Sequence, residues 1–360
     1  MIFAILVLCG IVYNLLSVVA LMAFRRARQP AIAYAPPVSI LKPVRGQDAG
    51  FYGAIRSHAA QQYHEFELLF GVADAADPAS ADIERLKSEF PEVAIRVIGT
   101  ANDAPNGKVG SLEILAREAR YETLLVNDGD IVVEPDYLTR VIGPLADPRV
   151  GLVTCLYRGR GASLASEVEA LGIATEFMPS VLVARLLSSA TSGFALGATM
   201  AFRKADLAAI GGFAAIREYL ADDYQLGARI AATGKRVLLA DTIVTTNLGA
   251  GSWKSVWKHQ VRWSRTIRVS RPAGYFGYVL TQLTFWSVMA LLAGSWKLAL
   301  GGLVIRRICA GVYSQSTMRF PVWFRDLFGM GVWIAGLAGN TVEWRGLRFR
   351  LFRDGRIRRI

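Results

Sequence analysis

Residues 2–24, IFAILVLCGIVYNLLSVVALMAF, carry no charge over 23 positions. A helix of that length crosses about 30 Å of hydrocarbon. A secretory signal peptide would have a shorter apolar core, basic residues before it and a small-residue cleavage site after it. Here the basic residues, Arg25, Arg26 and Arg28, come after. The stretch therefore reads as an uncleaved transmembrane anchor, 1–24. The bias of basic residues toward the cytoplasmic face places residue 25 onward in the cytoplasm.

The rest of the chain agrees with a membrane setting. Charged residues are 19% of the 360, against 53% hydrophobic, where soluble domains sit nearer 25% charged. Residues 275–296 are apolar and uncharged and read as a span. Residues 322–340 are a second, weaker candidate because they contain Arg325 and Asp326. The segment between, Leu298–Tyr313, is broken by Arg306 and Arg307 and reads as interfacial, re-entrant or a poor span. Together 275–340 form a transmembrane or re-entrant region. The last twenty residues, 341–360, hold seven Arg against Glu343 and Asp354, a net of +5. They read as a basic cytoplasmic tail, which favours an even number of C-terminal spans. The net charge of +12 thus sits beside membrane segments, where attraction to an anionic phospholipid surface accounts for it without nucleic acid. Cys9, Cys155 and Cys309 lie far apart and form neither a disulfide framework nor a zinc spacing.

Between Pro36-Pro37 and about residue 250 the pattern alternates. Apolar runs VSIL (38–41), ELLFGV (67–72), VAIRVI (93–98), TLLVND (123–128), GLVTCL (151–156) and RVLLAD (236–241) are separated by helical stretches 53–62, 81–90 and 110–121. Continuous apolar strands alternating with helices imply an α/β domain, 35–250, with a mostly parallel sheet covered on both faces. Ligands of such sheets bind beyond the carboxyl ends of the strands. Lys42, Asp74 and Asp128 all fall there.

NDGDIVVEPD (127–136) follows one of these strands. In extended backbone Asp128 and Asp130 point to the same side. Two such carboxylates suit Mg²⁺ or Mn²⁺, ions that also take phosphate oxygens and water. A calcium loop needs an oxygen ligand where Val132 stands. A plain polar turn remains open on these residues alone. Asp222–Asp223 open a helix that ends at Gly234, and an acidic pair there equally suits capping. Residues 251–271 place Trp253 and Trp257 four apart and Arg262, Arg265, Arg268 and Arg271 every third residue. That pattern suits an amphipathic helix at a membrane surface with its tryptophans at headgroup level. A basic juxtamembrane linker is the alternative.

Asp74, Asp128 and Asp223, followed by Arg262-Trp263, resemble the D, D, D, (Q/R)xxRW pattern of processive-type family 2 glycosyltransferases. VSILKPVRG (38–46), VADAADPA (72–79), VGLVTCLYRG (150–159), GATMAF (197–202), IGGF (210–213), ADDYQLG (221–227) and VEWRG (342–346) are more closely similar to the ceramide glucosyltransferase branch, which includes bacterial hopanoid-associated glycosyltransferases. The resemblance runs from about residue 36 to 346. It implies a nucleotide-sugar-binding domain of the GT-A type and an inverting hexosyl transfer from a UDP-sugar donor to the hydroxyl of a membrane lipid acceptor. UDP-glucose and ceramide come first; UDP-N-acetylglucosamine or another UDP-sugar with a hopanoid polyol or glycerolipid is the alternative.

The residue roles implied by the match follow. Asp74 contacts the uracil or ribose, Lys108 lies near the phosphates, and Asp128 and Asp130 hold Mg²⁺ or Mn²⁺ against the diphosphate. Asp223 is the general base, and Arg262 and Trp263 close over acceptor and diphosphate. The chain departs from the pattern at HQVRW, where His259 takes the first motif position and Gln260 comes one place late. It also reads DGD where the eukaryotic ceramide enzymes resemble DSG.

Three other readings compete. A polymerising synthase needs a channel for its growing chain, and the spans here are too few. A polyprenyl-phosphate sugar transferase would have a phosphate acceptor needing no strong base. A catalytically dead scaffold would have lost acidic motif residues, yet each is present.

Overall fold

The structure is a computed structural model that describes residues 1–27, 34–48, 50–187, 193–314 and 321–360; Arg28 lies outside the described residues. Eight strands form one sheet: β1 Val38–Val44, β2 Phe66–Val72, β3 Ala94–Gly99, β4 Thr123–Val126, β5 Ile131–Val132, β6 Val150–Gly161, β7 Met200–Arg203 and β8 Arg236–Gly249. Their order across the sheet is β3-β2-β1-β4-β7-β6-β8-β5. The pairs β1/β2, β2/β3, β1/β4 and β6/β8 are parallel. The short strand β7 is antiparallel to both β4 and β6, and β5 is antiparallel to β8. The expected mostly parallel sheet is thus present, with two antiparallel strands too short to show in the sequence.

The central parallel strands β1, β2 and β4 are mostly apolar and buried because helices cover both faces. One core holds Ile40, Leu68, Phe70, Leu125, Tyr137 and Val153; the other, across the sheet, holds Leu41, Leu69, Leu112, Leu124, Phe202 and Leu226. Full burial of each large aliphatic or aromatic side chain contributes about 1.5–3 kcal/mol. Both cores draw alternate residues of the same strands, so a one-residue register slip would exchange them.

Among the described residues two helices, Ile2–Arg26 and Leu164–Leu187, are long and apolar enough to cross a membrane. The second does not stand out in the sequence, where Glu169 and Glu176 interrupt its apolar run. It is half buried within the fold and takes π form over Ile173–Phe177.

The structure revises the C-terminal region. The expected span 275–296 is not one straight helix: Pro272–Thr281 and Leu283–Leu292 meet at a 45° bend. Next to them, Trp296–Tyr313 is a continuous 18-residue helix. The expected span 322–340 is a 16-residue helix, Val322–Leu337, shorter than the roughly 20 residues a straight crossing needs. Its two charges are internally matched. Asp326 takes two bonds from Arg306, at 2.6 and 2.8 Å, and one from the Thr284 hydroxyl; Arg325 pairs with Glu176 at 2.8 Å.

The basic tail is not loose either. Strands β9 Thr341–Trp344, β10 Leu347–Leu351 and β11 Ile357–Arg359 form a small antiparallel sheet. Val342, Phe349, Leu351 and Ile357 pack with Leu220, and Ile357 N–H donates to the Glu218 carbonyl. The sheet is therefore fastened to the segment that leads into Asp222–Asp223.

Candidate active site

A cleft of about 1920 Å³ opens at the carboxyl ends of the central strands and continues between the apolar helices. Its sheet end is lined by Lys108, Asp128, Asp130, Gly197, Asp222 and Asp223, and its helix end by Val181, Ala184, Ile267, Tyr275 and Val332.

Local structure sets each group in place. Asn127 follows β4, and its side-chain amide donates to the Ala198 carbonyl at 2.7 Å and to the Tyr137 hydroxyl at 2.8 Å. This ties the turn at residues 196–199 to the end of β4. At Gly197 that turn comes closest to the acids: a Cβ there would lie 3.3 Å from Asp223 Oδ2 and 3.6 Å from Asp128 Oδ2. The two carboxylates therefore face the same point. Gly197 N–H donates to Asp223 Oδ2 at 2.8 Å, and Tyr224 N–H to Oδ1 at 2.7 Å. Asp222 and Asp223 sit in the first turn of the helix Asp222–Ala232, as the sequence suggests, but Asp223 also reaches across to another loop.

Lys108 lies in the first turn of Gly107–Glu118, a helix capped by the Asn106 side chain. Its ammonium pairs with Asp128 at 2.8 Å and Asp222 at 3.2 Å. Burial works against its charge, but Asp128, Asp222 and Asp223 outweigh burial and raise its pKa. In this arrangement Lys108 is an internal counter-ion that gathers the acidic motifs.

Asp223 is held at a pKa of about 6, first by burial and then by the neighbouring Asp222, with Lys108 opposing. Asp130 accepts a hydrogen bond from the Thr246 hydroxyl of β8. Burial and the charge of Asp128 raise it, too, to about 6. Behind these acids Lys42 is fully buried, its amine 3.3 Å from the Asp128 carbonyl. Burial pushes it down to about 7 although Asp128 and Asp130 pull the other way.

The helix Trp253–Ser270, capped by Ser252, forms the opposite wall. His259 lies 2.6 Å from Glu169 Oε1, and Gln260 donates to the same oxygen at 3.0 Å. Gln260 in turn accepts from Arg325 at 3.3 Å. The first motif position and the displaced glutamine thus share one carboxylate. Glu169 is a residue that sequence reasoning missed, since nothing local marks a glutamate 90 positions away as their partner. Trp263 packs edge-on against His259, with centroids 4.7 Å apart, and lies tilted against Phe177 at 6.4 Å. Arg262 lines the cleft; burial, then the nearby Arg345, lowers its pKa to about 10. Trp253 and Trp257 pack on Phe328 of Val322–Leu337 while staying 44% and 38% exposed, which fits an interfacial helix.

Asp74 stands apart. Its carboxylate accepts from Ala76 N–H at 2.9 Å within its own turn, and Ala73 rather than Asp74 lines the cleft. Among the described residues no group of three or more His, Cys, Asp or Glu could cage a metal. The donor set nevertheless fits Mg²⁺ or Mn²⁺ arriving with a diphosphate. Two crowded carboxylates, one with its pKa raised by the other, gain from a cation, and such ions take their remaining ligands from phosphate and water.

A mostly parallel α/β sheet with carboxylates gathered beyond its strand ends is the architecture of the GT-A glycosyltransferases. A mannosyltransferase from Pyrobaculum calidifontis, solved with GDP-Man and Mn²⁺, shares this fold with a TM-score of 0.60 at 16% identity, over 94% of this chain and 99% of that one. The sequence matches glycosyl transferase family 21 over residues 2–357, and the chain belongs to that family. It is 25% identical to ceramide glucosyltransferase 3 of Caenorhabditis elegans, over 89% of this chain and 74% of that protein. It is 24% identical to ceramide glucosyltransferase 1 of the same organism, over 90% and 73%.

Proposed function

We propose that this enzyme transfers one hexose from a UDP-sugar to the hydroxyl of a membrane lipid with inversion, with UDP-glucose as donor and ceramide as acceptor. The observation that carries the proposal is the pairing of Asp128 and Asp223 around Gly197, in a cleft that continues between apolar helices. A donor diphosphate belongs at the Asp128–Asp130 end. A lipid hydroxyl can reach Asp223 from the helix end without leaving the bilayer.

In the reaction the acceptor oxygen attacks the anomeric carbon opposite the leaving group. The bond from that carbon to the diphosphate oxygen breaks, its electron pair stays with UDP, and the hydroxyl proton passes to an Asp223 carboxylate oxygen. A base with a pKa of about 6 is ionised at neutral pH yet basic enough to take a proton in the transition state. Asp128 and Asp130 would hold Mg²⁺ or Mn²⁺, which supplies positive charge against the departing diphosphate. The Gly197 and Tyr224 N–H groups fix the orientation of Asp223. Trp263, wedged by His259 and Phe177, offers a ring face to the sugar or headgroup, while Arg262 brings positive charge to the diphosphate. Asp74, two residues beyond β2 and next to the cleft-lining Ala73, is assigned to the uracil or ribose. Arg25 and Arg26, in the last turn of the first helix, support a multi-pass arrangement with the catalytic domain and the C-terminus on the cytoplasmic side.

The decisive experiment offers a panel of UDP-sugars to membranes containing the protein and identifies the glycolipid by mass spectrometry. A product other than a singly hexosylated lipid refutes the assignment. Asp223→Asn is expected to bind UDP as wild type does, while turnover falls about 10²–10⁴-fold. Retention of more than about a tenth of wild-type turnover would remove Asp223 from the base role. EDTA should abolish turnover and Mg²⁺ or Mn²⁺ restore it; activity that survives EDTA ends the metal assignment.

A further inference from the structure

The VEWRG stretch has no part in the chemistry so far, and its arginine sits in an unusual place. Strands β9 and β10 pair with Trp344 opposite Leu347, so Arg345-Gly346 is a two-residue hairpin turn. Both residues have positive φ, 50° and 77°. Such turns favour asparagine, aspartate or glycine at the first position. Arg345 is the only non-glycine with positive φ among the described residues. A side chain kept in a strained turn against local preference points to a use for that side chain.

The tip of the turn reaches back across the chain to the loop after β1. Arg345 Nη1 donates to the Arg45 carbonyl at 2.7 Å and to Asp48 Oδ1 at 3.3 Å; Nη2 donates to Asp48 Oδ2 at 3.1 Å. A guanidinium has five N–H donors. These contacts use three and leave Nε–H and one Nη2–H, neighbours on one edge that form the fork arginine uses for bidentate phosphate contacts. Arg345 lines the same cleft as Arg262, Asp128 and Asp130. It is also close enough to Arg262 for its charge to help lower that guanidinium. Arg262 has no ion-pair partner of its own among the described residues. Two guanidiniums gathered in one cleft beside a candidate metal site are electrostatically costly until an anion comes between them.

We propose that Arg345 and Arg262 form a two-arginine clamp for the diphosphate of the donor, with Arg345 delivered by the C-terminal hairpin and held rigid by Asp48. The clamp rests on the nucleotide-sugar reading for the identity of its anion. The hairpin sheet is also fastened at Glu218 and Leu220, just before Asp222–Asp223, so the same element links diphosphate and base.

The test is calorimetric titration of the full-length protein in detergent with Mn²⁺, using UDP, uridine and inorganic pyrophosphate as probes. The variants are Arg345→Asn, which suits the turn, and Arg345→Lys, which keeps the charge but loses the fork. Both are expected to keep Tm within about 3 °C of wild type, since an exposed ion pair contributes little. Arg345→Asn should weaken UDP and pyrophosphate about tenfold, as loss of a charge-assisted contact implies, leave uridine unchanged, and Arg345→Lys should fall between. If Arg345→Asn binds UDP as tightly as wild type, the clamp is wrong and the donor reading stands. If wild type binds pyrophosphate through Arg345 but does not bind UDP, the clamp stands and the donor reading falls. A large drop in Tm in both variants would show that Arg345 only fastens the hairpin, and would overturn the proposal.

Discussion

At the scale of single residues, two acids in the cleft have pKa values well above an ordinary aspartate. Asp223 is raised to about 6 by burial and by Asp222, and Asp130 to about 6 by burial and by Asp128. A general base works only when ionised, so kcat should fall as pH drops below about 6. At saturating Mn²⁺ a metal held by Asp128 and Asp130 would displace the proton from Asp130, and the remaining limb would belong to Asp223. Lys108 lowers Asp223 through its charge, so Lys108→Met should move the limb to higher pH. A pH–kcat profile checks both expectations; a limb that Lys108→Met leaves in place would detach it from Asp223. Stability carries the same signature with a definite sign. Between pH 3.8 and about 6 the folded state holds a proton on Asp223 that the unfolded chain has released. Stability therefore falls as pH rises through that window. In Asp223→Asn that contribution vanishes, and its melting temperature should depend less on pH between about 4 and 6.

At the scale of elements, the charges that weaken the C-terminal spans in the sequence are the ones that join them. Arg306 on Trp296–Tyr313 binds Asp326 on Val322–Leu337, the Asn14 side chain at 3.3 Å on the first helix and the Thr175 carbonyl at 3.2 Å in the π turn. Both partners of the ion pair are buried. Removing one partner of a buried pair leaves the other uncompensated, at about 3–5 kcal/mol, whereas replacing both with apolar residues can be neutral. Asp326→Ala should therefore lower Tm sharply, and the Arg306→Met/Asp326→Leu double variant should recover most of the loss. Equal losses in the single and double variants would exclude this account.

The same contrast separates what was legible in the sequence from what was not. β1, β2 and β4 are continuous apolar runs because both faces are covered, and that pattern is local. Strand β7 is four residues long and the bend at 278–282 lies inside an uncharged run, so neither leaves a periodic signal. Asp128 could be placed from the end of its strand and Asp223 from the start of its helix, whereas Lys108 is marked only by the family resemblance. The partnerships of Glu169 with His259 and of Arg345 with Asp48 are made across the fold and have no counterpart in sequence spacing.

At the scale of the whole molecule, apolar side chains remain outside where the helices gather. Ile5, Leu8, Val12, Leu15 and Val19 of the first helix are exposed, as are Leu291, Leu292, Leu300, Val304 and Ile308 at the C-terminal end. This is far more than the isolated surface apolar residues a soluble monomer carries, and it marks the part that meets hydrocarbon. Beside it the chain carries a net charge of +12. Some of the basic side chains are held by the fold: Arg265 and Arg268 donate to carbonyls at residues 341, 337 and 339, and Lys258 pairs with Glu343. The remaining basic side chains would interact with the surface potential of an anionic leaflet, where each basic residue near the surface contributes about 1 kcal/mol within a Debye length of roughly 10 Å at 0.1 M salt. Protein reconstituted in phosphatidylcholine vesicles should therefore turn over acceptor faster when about a third of the lipid is phosphatidylglycerol, and that advantage should disappear at about 1 M salt, where the Debye length is near 3 Å. The cleft chemistry itself, being buried, should lose little over the same change in salt. If the anionic lipid advantage persists at high salt, the effect is a specific lipid contact and not the field of the basic surface.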